Sequence, residues 1–248
     1  MIELLKANFI KEMHLILNRK IGMAFTILNS FLLFFALYTL FNNIVETDSN
    51  SRAIFIVSYA LWYFSLAIIT EPGWVILNES TRGTIEQWWL SPYSFWIILF
   101  SKIIADNIVN SARTVLLVIL ILITTNSSVE LGLNSLAVLL ISLLGMYGIG
   151  FVMAGVALVY KRVQDIIPIL QYLLLAVISL PPNDSFYAII MPIYSTTILL
   201  KRSIVGNSIF ISEYLLFVIT SILTFCMGVL FFIICETNVR KRGTLGKG

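Results

Sequence analysis

Apolar runs free of any charge recur along this 248-residue chain, and they constrain it more than any motif does. Residues 21–41, 53–70, 133–160 and 214–235 contain no Asp, Glu, Lys or Arg. At about 1.5 Å per residue, a helix of roughly 20 such residues crosses the ~30 Å hydrocarbon layer of a bilayer. In lipid a helix satisfies all its backbone groups internally. The composition agrees, with 59% hydrophobic residues, 12% charged residues and a mean hydropathy of +0.95. The expected fold is an all-α integral membrane protein with six transmembrane helices.

Residues 1–20 read as a separate amphipathic element. Ile2, Leu5, Phe9, Met13 and Ile16 recur at helical spacing, with Lys6, Lys11, Glu12, Arg19 and Lys20 mostly elsewhere, which predicts a helix on the cytosolic membrane surface. The run behind it has full span length and no small-residue cleavage site, unlike a signal peptide. Residues 21–248 then form one six-span domain. Spans are expected at 21–41 and 53–70, joined by a polar loop at 42–52, the second broken by Glu71-Pro72-Gly73. The helix over 92–125 is too long for one perpendicular span and is expected to start at the interface and tilt. An outside loop at 126–130 leads to a fourth span at 133–160. That span carries Gly145, Gly148, Gly150, Ala154 and Gly155; small residues such as Gly150 and Ala154 let helices approach closely, here within one subunit. Lys161-Arg162 marks the return to the cytosol. A fifth span at 166–180 is expected to bend at Pro168 and stop at Pro181-Pro182. Residues 183–212 form an outer segment whose apolar middle, 187–200, is short and interrupted by Pro192, so it reads as re-entrant or interfacial. The sixth span is 214–235, followed by a basic tail at 239–248.

Lysine and arginine placement sets the orientation. With the N-terminus inside, only Arg52, Lys201 and Arg202 of the sixteen basic residues fall outside, and Arg113 lies within a helix. Both termini are therefore expected in the cytosol. The net charge of +3 and the lack of a basic stripe interleaved with aromatics argue against nucleic acid as a partner.

Between the second and third spans lies the polar-studded stretch 79–92. Thr84 with Gln87 fits a capping box, and Gly83 before it allows a sharp turn. Ile85, Trp88 and Trp89 share one helical face, while Glu86 and Gln87 project from the other. Ser91 and Pro92 end this helix and are expected to start the next, as N-cap and first residue. About two turns of helix cannot hold themselves in water, so the stretch must rest on something, and paired tryptophans suit a membrane interface.

Glu79, Arg82-Gly83-Thr84-Ile85-Glu86-Gln87 and Leu90-Ser91-Pro92 resemble the cytosolic signature of ABC-2-type transporter permeases. Lys102 also fits that pattern, although Ser101 stands where the family usually has glycine. The resemblance implies that Glu79, Arg82, Gly83, Thr84, Ile85, Glu86, Gln87, Trp88, Trp89, Ser91 and Pro92 form a coupling helix docked in a cleft of an ABC ATPase subunit. It also implies short re-entrant helices between the last two spans, and a second permease copy or a sister permease. ATP and magnesium would be bound by the ATPase, with no cofactor in this chain.

Asp106, Asn110 and Arg113, at i, i+4 and i+7, share a face of the third span. A charge within a span turns to protein or water and finds a partner. The face reads either as lining of a transport path or as a structural Asp–Arg pair, the plainer reading.

Missing chemistry narrows the function. No G-x-x-x-x-G-K-[ST] loop occurs, and the tail at 243–248 lacks its spacing and the hydroxyl after lysine. His14 is the lone histidine, and Cys226 and Cys235 stand nine residues apart on one helix, so neither a catalytic metal site nor a disulfide is expected. No G-x-S-x-G elbow is present. An enzyme is not expected, and a transporter without its own energy source must borrow one. The leading expectation is the permease subunit of an ABC-2-type exporter in the cytoplasmic (inner) membrane, moving a drug-like, peptide or other amphipathic solute. Export of a glycan or lipid, and a non-transporting anchor or immunity subunit, are the alternatives.

Overall fold

The computed structural model describes residues 2–18, 20–44, 49–127, 129, 132–160, 163–179, 192–205 and 210–242. No strand occurs among them. The helices, in chain order, are α1 (Ile2–Asn18), α2 (Lys20–Ile44), α3 (Ser49–Thr81), α4 (Ile85–Trp89), α5 (Phe95–Thr125), α6 (Leu133–Tyr160), α7 (Ile167–Ser179), α8 (Pro192–Val205) and α9 (Ile211–Arg242). Five of them, α2, α3, α5, α6 and α9, are long and apolar enough to cross a membrane. This is the architecture of an all-α, multi-pass membrane protein.

The bundle is built around α6, which packs against α9, α3 and α8. Its glycines explain how one helix serves so many neighbours. Gly148 faces Gly228 of α9 so closely that a Cβ on either would overlap the backbone of the other helix. In lipid, where burial of apolar surface gives no net drive between helices, such approach maximises dispersion contact. The expected small-residue packing is thus inside the subunit, and its partner on α9, Gly228, lay outside the stretch from which it was inferred.

Gly150 performs a different task. Pro72 does not break the second span as expected: α3 runs unbroken for 33 residues with Pro72 inside it. Proline removes the N–H that would bond the carbonyl four residues back, here that of Ile68. That carbonyl oxygen faces Gly150, where a methyl group would sit 3.1 Å from it and 2.8 Å from Pro72 Cγ. The glycine leaves room for the proline ring, and the packed neighbour makes the proline tolerable in mid-helix.

Other boundaries also differ from expectation. Residues 42–44 and 49–52, assigned to a polar loop, are helical. Pro168 sits in the first turn of α7 and so does not bend it; Pro192 is the first residue of α8, and residues 187–191 of the expected apolar segment lie outside the described residues. Helix α9 continues through the start of the expected basic tail to Arg242. Lys161-Arg162, Pro181-Pro182, residues 183–191 and 243–248 lie outside the described residues, as do Ser128 and Glu130 of the expected outside loop.

The remaining helices complete the frame. Helix α1 lies along α5, where Asn8 Nδ2 donates to Ser101 Oγ at 2.8 Å, while Phe9 and Met13 of its apolar stripe are exposed. Helix α2 docks through aromatics: Phe34 meets Tyr59 edge-on at 5.1 Å, and the Tyr59 hydroxyl donates to the Ser30 carbonyl at 2.6 Å. Helix lengths then locate the candidate site. At about 1.5 Å per residue, the 33, 31 and 32 residues of α3, α5 and α9 span roughly 46–50 Å, well beyond a ~30 Å hydrocarbon core. The end of α3, the start of α5 and the end of α9 meet at one end of the bundle, and α4 sits there.

Candidate functional site

The stretch from Glu79 to Phe95 is held by a buried carboxylate. Helix α3 closes with two bonds, Thr84 N–H to Glu79 C=O at 3.0 Å and Gly83 N–H to Ser80 C=O at 3.1 Å. This paired closure requires a left-handed residue between, and Gly83 supplies it at φ 68°. Such closures usually bring together apolar side chains at the positions of Glu79 and Thr84. Here the contact is polar: Thr84 Oγ1 donates to Glu79 Oε2, and also lies 3.2 Å from the Glu79 carbonyl oxygen.

The other carboxylate oxygen, Oε1, accepts from Lys102 Nζ of α5 at 2.7 Å. The two side chains are only 8% and 12% exposed, so the ion pair is nearly withdrawn from water. Lys102 also lies over the Trp88 ring, 5.8 Å from its centroid. One side chain of α3 therefore fixes the turn, the start of α4 and the position of α5. The sequence singled out Glu79 and Lys102 without joining them; a 23-residue separation carries no local signal.

This arrangement corrects two expectations. The Thr84–Gln87 capping box does not form: Thr84 makes no side-chain cap bond and has helical angles, φ −92° and ψ −8°. Its hydroxyl is committed to the Glu79 carboxylate, the stronger acceptor. Nor do Ser91 and Pro92 start the next helix. Ser94, extended at φ −60° and ψ 141°, precedes Phe95, the first residue of α5; Ser91 Oγ instead accepts from Tyr93 N–H at 3.3 Å.

Within α4 the two faces separate as the spacing implied. Ile85 is buried, Trp88 and Trp89 are half-buried, and Glu86 and Gln87 are exposed. Both tryptophans rest on Phe95, at 5.4 and 5.9 Å, and Phe95 stacks on Phe232 of α9 at 5.5 Å. Arg240 of α9 covers the Trp89 ring at 5.9 Å. The outward surface comprises Arg82, Gly83, Glu86, Gln87, Pro92 and Leu90, with Ser91 half-buried at its edge. Leu90 is 87% exposed, a bare apolar tip between charged and amide side chains.

The polar face of α5 is a second cluster. Asp106 is buried, and Arg113 Nη1 donates to Asn110 Oδ1 at 3.1 Å. The residue the spacing missed is Asn107, buried beside Asp106, whose Nδ2 donates to the Tyr147 hydroxyl of α6 at 2.5 Å. Its signal was available: Asn107 stands three residues, about one turn, before Asn110 on the same helix. Among the described residues, Asn107 Oδ1 and Arg113 Nε are buried without a hydrogen-bond partner. Among the described residues no three His, Cys, Asp or Glu side chains converge as a metal site would need.

Comparison with family models, with curated proteins and with solved structures returns no match to this chain.

Proposed function

We propose that this chain is the permease subunit of an ABC-2-type exporter, in which the segment around α4 is the contact with a separate ATPase subunit. The observation that carries the reading is the division of α4 into a locked face and a free one. A five-residue helix cannot form alone, yet this one is held by the Glu79–Lys102 pair and the Trp88–Trp89–Phe95 cluster. The outward face is left with Arg82, Glu86, Gln87 and Leu90, a mixed polar and apolar surface suited to a protein partner. On this reading α7 is a fifth crossing, α8 a re-entrant helix, and α4 and both termini lie in the cytosol at the inner membrane. A second copy or a sister permease completes the path for an amphipathic solute. Two ATPase subunits bind ATP and magnesium.

Isolation of the complex from native membranes tests this. Glu86→Lys inserts normally but loses the ATP-hydrolysing subunit, because removing a desolvated charged contact costs on the order of 2–5 kcal/mol. Glu86→Gln, which keeps the shape and part of the hydrogen bonding, is intermediate. Retention of that subunit by Glu86→Lys at the wild-type level, with unchanged export, would remove α4 from the coupling role.

A further inference from the structure

A groove of about 410 Å³ runs between α2, α3, α7 and α8, at the opposite end of the bundle from α4. Lys201 of α8 and Ser51 of α3 line it at one end and Trp62 lines it at the other. Lys201 Nζ donates to the Ile178 carbonyl at 3.2 Å, in the last turn of α7. The last four carbonyls of a helix have no intrahelical donor and carry its negative dipole end, so the ammonium is anchored there. Lys201, one of the three basic residues expected outside, thus has a structural position beside a cavity.

The deep end is different in kind. The Trp62 indole N–H donates to the Gln171 carbonyl at 3.2 Å, and the Tyr59 hydroxyl is bound to Ser30. Their polar atoms are occupied within the protein, leaving ring surface, with Leu37, Phe55 and Leu175, to line the groove. From Ser51 to Trp62 the groove follows eleven residues of α3, about 16 Å at 1.5 Å each. That is the depth of one leaflet, half of a ~30 Å core.

We propose that this groove binds one anionic phospholipid of the adjoining leaflet, its phosphate at Lys201 and an acyl chain along Phe55, Leu175 and Trp62. A cation at the mouth and one leaflet depth of apolar wall match a bilayer lipid. A small soluble anion would use the mouth alone. The proposal rests on membrane placement and not on any ATPase partner, so it stands or falls separately from the exporter reading.

The test uses the full chain in nanodiscs and quenching of tryptophan fluorescence by acyl-brominated lipids. Trp62→Phe identifies the Trp62 contribution among the five tryptophans. Brominated phosphatidylglycerol quenches the Trp62 component at about fivefold lower mole fraction than brominated phosphatidylcholine, the increment one lysine contributes towards anionic lipid. Lys201→Gln abolishes the preference, Lys201→Arg keeps it, and Ser58→Phe, which fills the groove without adding a fluorophore of the same kind, removes the quenching from both lipids. Circular dichroism and size-exclusion profiles establish that each variant is folded; should Lys201→Gln fail to fold, Ser58→Phe decides. Equal quenching by both lipids in the wild type, a preference that survives Lys201→Gln, or displacement of the brominated lipid by millimolar inorganic phosphate would each overturn the proposal.

Discussion

Replacing Lys102 by methionine should release the segment around α4 without unfolding the bundle. The change keeps the aliphatic stem and removes the charged nitrogen, leaving the Glu79 carboxylate buried with the Thr84 hydroxyl as its remaining side-chain donor among the described residues. Breaking a buried pair by removing one partner costs about 3–5 kcal/mol, and the surviving Thr84 bond places this case near 3. At 1.4 kcal/mol per factor of ten, that is roughly a hundredfold in the local opening equilibrium. The segment itself buries little beyond Ile85 and the two tryptophans, so the loss is concentrated there and not spread through α6 and α9.

Amide exchange read by mass spectrometry is the assay. In Lys102→Met the amides bonded at 84–91 exchange about a hundred times faster, while those of α6 hold their wild-type rates. Glu79→Gln combined with Lys102→Met recovers most of the protection, because no buried charge is left unpaired. Unchanged exchange in the single variant, or strictly additive effects in the double, would refute the idea that this pair holds the segment.

Three further outcomes follow from the geometry. Gly148→Ala forces α6 and α9 apart at the point where their backbones touch; it should lower thermal stability by about 1–3 kcal/mol, and Gly228→Ala should act on the same contact without adding fully. Gly83→Ala meets no neighbour within 4 Å, so its cost is backbone strain alone, about 1–2 kcal/mol, and Gly83→Asn should lose less; amide exchange at Thr84 distinguishes them. With Cys226 and Cys235 replaced, a cysteine at Asn126 should react with an impermeant thiol reagent on intact cells and one at Gln87 only after permeabilisation; labelling of Gln87 from outside would invert the orientation proposed here.

The long apolar helices were legible because their signal is local and redundant: α6 begins and ends where its uncharged run does. Prolines misled, since Pro72 reads as a breaker until the glycine that receives it on another helix is known. Residues 42–44 and 49–52 misled in the same way, polar composition being a weak guide to where a helix ends. At the candidate site the two faces of α4 followed from spacing, which a helix converts directly into direction. The Glu79–Lys102 pair did not, because contact between distant segments depends on how α3 and α5 pack, and no period in the sequence encodes that.

The same packing bears on how a push on α4 could reach the membrane. Trp88 and Trp89 rest on Phe95, Phe95 stacks on Phe232, and Phe232 meets Phe151 at 5.7 Å. Phe151 lies on α6, three residues beyond the Gly148–Gly228 contact and one beyond Gly150, where Pro72 is received. Large rigid rings in van der Waals contact transmit displacement because close-packed interiors are stiff. At Gly148 and Gly228 the backbones of α6 and α9 touch with no side chain between them, whereas at Gly150 the Pro72 ring keys α3 into α6. A contiguous row of rings alone is only proximity; coupling requires an element with two arrangements that both ends bias. Helix α4 is too short to persist unaided, and its attachment rests on one ion pair and one aromatic cluster. On the proposed reading, displacing it would perturb the Phe95 contact on α5 and the Arg240 contact on α9 together.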